Sequence, residues 1–129
     1  MATKDVISTD RAPGPFQGAP YNQAIRVGEL VFVAGQLGIS RETGELAGDG
    51  VGEQTEQIMQ NLAAILEAAG SSLGQLLKTT VFLVDLADFG GMNEVYATHV
   101  GEQPPARSTV GISQLPSGAR VEIEAIAHV

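Results

Sequence analysis

Two segments of this chain carry apolar side chains on both sides of an extended backbone, and that doubling limits the folds open to it. In residues 30–35 (LVFVAG), Val31 and Val33 point opposite to Leu30 and Phe32. In residues 77–84 (LKTTVFLV), Thr80, Phe82 and Val84 point opposite to Val81 and Leu83. β-Branched and apolar residues on both faces suit inner strands. Both faces of the resulting sheet therefore ask for burial.

The rest of the chain supplies only two helices as cover. Across residues 53–69, Ile58, Met59, Leu62, Ile65, Leu66 and Ala69 recur at helical spacing on one stripe, and Gly70 stands where a C-terminal cap glycine belongs. Asp88 is read as the N-cap of a second helix reaching Val100, with Phe89, Met92, Tyr96 and Val100 on its buried side. Two helices cover one face of a sheet. The other apolar face then calls for a partner subunit, so a homo-oligomer is expected.

The remaining segments complete a fold of class α+β. Residues 1–23 are rich in Pro and Gly and leave room for a short strand at most, before a loop ending near Tyr21. Residues 24–27 (AIRV) and 30–35 read as a hairpin around Gly28-Glu29. Residues 38–52, with Gly38, Gly44, Gly48, Gly50 and Gly52, read as a long loop. Residues 107–112 and 120–128 read as the last two strands. The order is β-β-α-β-α-β-β, in a single domain of 129 residues, 1–129.

Composition removes several function classes. A formal charge of −8 argues against a nucleic-acid partner. With no cysteine there is no disulfide, thiolate metal site or cysteine nucleophile. His99 and His128 carry no ligand spacing, so no metal site is expected. No apolar run approaches the roughly 20 residues of a membrane span. The polar start MATKDVISTD lacks the apolar core of a signal peptide, so the expected location is cytoplasmic. Phosphate-binding glycine fingerprints and a serine triad are also missing from the motifs.

Four residues stand out as candidate chemistry. In the last strand, Arg120, Glu122 and Glu124 share one side, opposite Val121, Ile123, Ala125 and Ala127. Carboxylates inside a strand need a compensating environment. A solvated face with an Arg120–glutamate pairing is one account, and a general base in an interface cleft is the other. Arg107 follows Pro104-Pro105-Ala106, a rigid lead-in that fixes the direction of a carboxylate-binding fork. Tyr21 closes a loop just before a strand, and Asn93 lies in the second helix.

The segments Gly18-Ala-Pro-Tyr21-Asn-Gln-Ala-Ile25, Val27-Gly-Glu-Leu-Val-Phe-Val-Ala-Gly-Gln36, Asn93-Glu-Val-Tyr96, Pro105-Ala-Arg-Ser108 and Val121-Glu-Ile-Glu-Ala-Ile-Ala127 resemble the Rid family of reactive intermediate deaminases, also called YjgF proteins. The resemblance runs from about residue 12 nearly to the end of the chain. It implies a chorismate-mutase-like fold, a mixed β-sheet with two helices packed on one face, and a homotrimer with sites between subunits. It also implies a 2-iminobutanoate/2-iminopropanoate deaminase, which hydrolyses reactive enamines and imines to 2-oxo acids and ammonia without a cofactor. Arg107 matches the arginine that binds substrate, Glu122 the residue that holds water, Tyr21 the cleft tyrosine and Asn93 a site asparagine. Three positions depart from the family pattern: Ala34 stands where serine is frequent, Ala19 is an extra residue before Pro20-Tyr21, and Thr109 replaces a common cysteine. The alternatives are a trimer that binds small carboxylates or acts as a chaperone without turnover, and a ribonuclease or translation inhibitor. In the deaminase reading, Arg107 and Glu122 converge on one small anion where neighbouring chains meet.

Overall fold

The computed structural model describes residues 3–129. One sheet is built from β1 (Asp5–Ile7), β2 (Ala24–Val27), β3 (Leu30–Leu37), β4 (Leu76–Leu83), β5 (Ala106–Gly111) and β6 (Val121–His128). Helices α1 (Val51–Ala68) and α2 (Phe89–Val100) connect its halves. The strand order is β1-β2-β3-β6-β4-β5. All neighbours are antiparallel except β4 and β5, which are parallel because α2 carries the chain back between them. The mixed sheet of an α+β fold is therefore present, with the short first strand added at the edge.

One face of the sheet packs on both helices. Val31, Val33, Val81, Leu83, Val121 and Ile123 form one buried cluster with Ile58, Leu62, Ile65, Leu66 and Met92. Each such side chain contributes on the order of 1.5–3 kcal/mol of hydrophobic stabilisation before entropy is counted. The stripe expected on α1 is buried along its whole length. A clasp from His99 Nε2 to Glu56 Oε1, 2.8 Å long, ties α2 to α1.

The ends of α1 follow from two local devices. Its start lies at Val51, two residues before the expected position, because Glu53 Oε1 accepts the Gly50 N–H at 3.3 Å. That back-bond, favoured also by a carboxylate in the first turn, draws glycine-rich residues into the helix. At the other end Gly70 adopts φ +84°. The Ser71 N–H then reaches the Leu66 carbonyl at 2.8 Å, and the Gly70 N–H reaches that of Glu67 at 3.1 Å. This pair of bonds satisfies the last carbonyls of the helix.

Helix α2 departs from expectation at its start. Met92, Tyr96 and Val100 are buried, but Phe89 is 44% exposed. The Asp88 side chain makes no capping bond; it pairs with Arg120 at 3.5 Å, while Asp85 accepts the Ala87 N–H at 2.9 Å. Arg120 also donates to the Asp49 carbonyl at 2.6 Å. The Arg120–glutamate pairing considered for the last strand is thus not formed. Arg120 precedes β6 and points to the loops instead.

Among the described residues, no helix covers the opposite sheet face. Leu30, Phe32 and Val110 are 40%, 41% and 42% exposed, and Phe32 stands directly beside Ile126. Alternation along β6 is as expected: Val121, Ile123, Ala125 and Ala127 are buried, whereas Glu122 is half-buried and Glu124 exposed. In β3 the alternation breaks. Val33 pairs with Ala125 and Gln36 with Ile123, so a bulge inserts one extra residue at Ala34-Gly35. Beyond it, Gln36 falls on the helix side and is buried.

Candidate active site in two halves

The bulge places Glu122 at the wall of a cleft. Glu122 is the register partner of Leu37 on one side and Phe82 on the other, on the uncovered face. A cleft of about 960 Å³ opens there, lined among others by Tyr21, Ala34, Gly35, Arg41, Pro116 and Glu122. Gly35 lies against the carboxylate so closely that a Cβ at that position would fall 2.7 Å from Glu122 Oε1. Half-burial, followed by the nearby charge of Glu124, pushes the Glu122 carboxyl above the ordinary glutamate value. A carboxyl shifted in that direction is better suited to take and return a proton near neutral pH.

The loop that carries Tyr21 lies beside a segment held by a buried glutamine. Gln23 accepts the Thr9 N–H at 2.7 Å and donates to the carbonyls of Thr9, Ala12 and Pro13 at 3.0, 3.2 and 2.8 Å. These bonds fold residues 9–13 over the end of β2. The Tyr21 hydroxyl accepts the Phe16 N–H, so its ring closes the same loop. Gln23 and Gly35 were not among the residues singled out in the sequence. Gln23 left one signal, a polar residue at the entry of a strand; the importance of Gly35 depends on a bulge that alternation does not reveal.

Arg107 lies elsewhere in the chain. It is the register partner of Thr79, on the side where Thr79 in turn faces Ala125 under the helices. Its guanidinium carbon sits 4.9 Å from the centre of the Tyr96 ring and 5.5 Å from that of Phe89. The ion pairs among the described residues are Arg11–Glu67, His99–Glu56 and Arg120–Asp88, so no carboxylate neutralises Arg107. Asn93 shares the α2 face of Phe89 and Tyr96 by its spacing of four and three residues. Its side-chain oxygen is buried without a hydrogen-bond partner. Thr109 is half-buried two residues beyond Arg107 on the same strand face.

Within one chain, then, Tyr21 and Glu122 share a cleft, Arg107 of β5 lies against rings of the α2 face that also carries Asn93, and the two pairs occupy opposite sides of the sheet. The cause is strand parity: Arg107 aligns with Thr79 and Ala125, whereas Glu122 aligns with Phe82, one residue out of phase. No group of three or more His, Cys, Asp or Glu residues with metal-binding geometry occurs among the described residues.

A six-stranded mixed sheet with two helices on one face, an acidic group in a cleft and an arginine without a carboxylate partner define a small α+β protein. The chain belongs to the Rid family, whose sequence model, described as Endoribonuclease L-PSP, matches residues 11–129. A RutC family protein of Pyrococcus abyssi is 50% identical over 97% of this chain and 97% of its own length. The 2-iminobutanoate/2-iminopropanoate deaminase of Mus musculus is 44% identical, covering 96% of this chain and 90% of its own. Among solved structures, Escherichia coli TdcF with bound serine superposes with a TM-score of 0.90 at 40% identity, over 97% of this chain and 98% of that one.

Proposed function

We propose that residues 1–129 act as one domain that hydrolyses 2-iminobutanoate and 2-iminopropanoate to 2-oxo acids and ammonia, in sites formed between copies of a homotrimer. The observation that carries this reading is the division of the site: a half-buried carboxyl in a cleft on the open face, and a free guanidinium on the other side. The Glu122 cleft holds a guanidinium of its own, Arg41, but not the ring-held Arg107, and the Arg107 side holds no carboxylate partner among the described residues. The apolar residues on the open face support association of copies, and because Arg107 lies on the edge strand β5, Glu122 and Tyr21 of one copy would meet Arg107 and Asn93 of the next at the rim of that contact. The name of the mouse relative supports the substrate class, and serine bound to TdcF supports a small amino-acid-like ligand.

In this mechanism Arg107 holds the substrate carboxylate and fixes the imine carbon near Glu122. Glu122 takes a proton from water as the oxygen adds to the imine carbon and hands it to the imine nitrogen, which becomes an amine. The carbinolamine then collapses: Glu122 takes the hydroxyl proton and delivers it to the amine as the carbon–oxygen double bond forms, the carbon–nitrogen bond breaks and ammonia leaves. The imine is already electrophilic, so a general base worth about 10²–10⁴-fold is a sufficient contribution. The proposed location of the reaction is the cytoplasm, where an acidic surface keeps the protein dissolved.

The test couples the purified protein to a threonine dehydratase and follows release of 2-oxobutanoate. Arg107→Ala and Glu122→Gln should each lose most of the acceleration. Mixed and reassembled, the two variants should recover part of it, because some sites then contain one intact half from each. Recovery absent from a mixture shown to exchange subunits would place both groups in one chain's site and refute the division. Ligand binding without acceleration in the parent protein would favour the non-catalytic carboxylate-binding reading.

A further inference from the structure

We propose that Tyr96, locked by its hydrogen bond to Thr79, is a positioning residue that holds the Arg107 guanidinium ready for a carboxylate; this rests on the reading of Arg107 as the carboxylate clamp. Thr79 is the direct register partner of Arg107, so the two side chains leave the sheet side by side. The Tyr96 hydroxyl and Thr79 Oγ1 are 2.6 Å apart, and both residues are buried. The ring is thereby pinned to the strand next to the arginine, with its centre 4.9 Å from the guanidinium carbon. Phe89 adds a second, more exposed ring at 5.5 Å.

The choice of an aromatic neighbour has a chemical consequence. A carboxylate would orient the fork equally well, but it would consume N–H donors and cancel the charge that a ligand needs. An aromatic ring attracts the cation through its π face and leaves the N–H groups at the edge of the fork free. With no ion pair to Arg107 among the described residues, the cradle supplies its orientation. Tyr96 touches neither substrate nor water in this scheme; it acts through Arg107.

The experiment measures the affinity for 2-oxobutanoate by calorimetric titration, and KM and kcat for imine hydrolysis, in parent protein and variants. Tyr96→Leu should weaken binding and raise KM by about tenfold while kcat changes less. Tyr96→Phe keeps the ring and loses only the lock; Thr79→Val breaks the same bond from the other side. Both should weaken binding by roughly threefold, and the double variant should be no weaker than either alone. Added to Arg107→Ala, Tyr96→Leu should cause no further loss. A purely structural tyrosine would lower the melting temperature and leave KM unchanged. If Arg107→Ala loses binding while Tyr96→Leu binds as the parent does, the cradle is refuted and the clamp stands. If Arg107→Ala itself binds normally, the clamp falls and this proposal with it. Should Tyr96→Leu not fold, Thr79→Val decides, and parent-like affinity there refutes the lock.

Discussion

Glu122 owes its character to two neighbours, one absent and one charged. The absent one is a side chain at Gly35. Replacing Gly35 by Ala would put a methyl 2.7 Å from Glu122 Oε1, and the carboxylate, being the end of a flexible chain, would move. On the proposed role of Glu122 as general base, Gly35→Ala should therefore lower turnover by about tenfold or more, with little change in melting temperature. Burial, and after it the charge of the neighbour Glu124, raises the Glu122 carboxyl. A folded-state pKa above the unfolded value means the folded chain binds the proton more tightly. Stability attributable to this group is thus fully present below the unfolded pKa and declines as pH rises through the folded one. Glu122→Gln should raise the melting temperature at pH 7 relative to parent, and the difference should vanish at pH 3. Activity should follow the opposite sense, falling as acid protonates the base, along a limb centred above the ordinary glutamate value.

At the scale of elements, the site depends on where α1 and α2 stop and start. Gly70 at φ +84° lets the chain reverse directly out of α1 into the segment leading to β4, which carries Thr79. Any L-residue there adopts a left-handed conformation at a cost of about 1 kcal/mol. Gly70→Ala should lower stability by that amount in urea titrations while KM stays at the parent value, because the cap lies away from both half-sites. Helix α2 has a different task. Its apolar stripe is shorter than expected because its first turn presents Phe89 outward, toward the arginine, instead of into the core.

For the whole molecule, the uncovered face is the feature with the largest consequence. Phe32 is 41% exposed and stands beside Ile126 at the middle of that face, remote from Arg107 in register. Burying an unpaired carboxylate at an interface costs several kcal/mol. If the proposed homotrimer forms, Phe32→Asp should therefore reduce it to a single chain in size-exclusion chromatography with light scattering. The same variant should lose imine hydrolysis although Arg107 and Glu122 are untouched. A monomer of full activity would refute the shared site.

The two helices, the hairpin at Gly28-Glu29 and the doubly apolar strands were legible in the chain because each follows from spacing among neighbours: a period of 3.6, a two-residue turn, an alternation of two. Glu122 was legible for the same reason, as an acidic residue in an otherwise strand-like run. The bulge at Ala34-Gly35, the outward turn of Phe89, the diversion of Arg120 to Asp88 and the ring beneath Arg107 were not. Each depends on which strands become neighbours and in what register, and register is settled by packing across the whole sheet, not by local preference. Local sequence thus chose the elements and the chemical groups, while tertiary pairing put Arg107 and Glu122 on opposite faces, since a one-residue difference in phase reverses the side of a pleated strand.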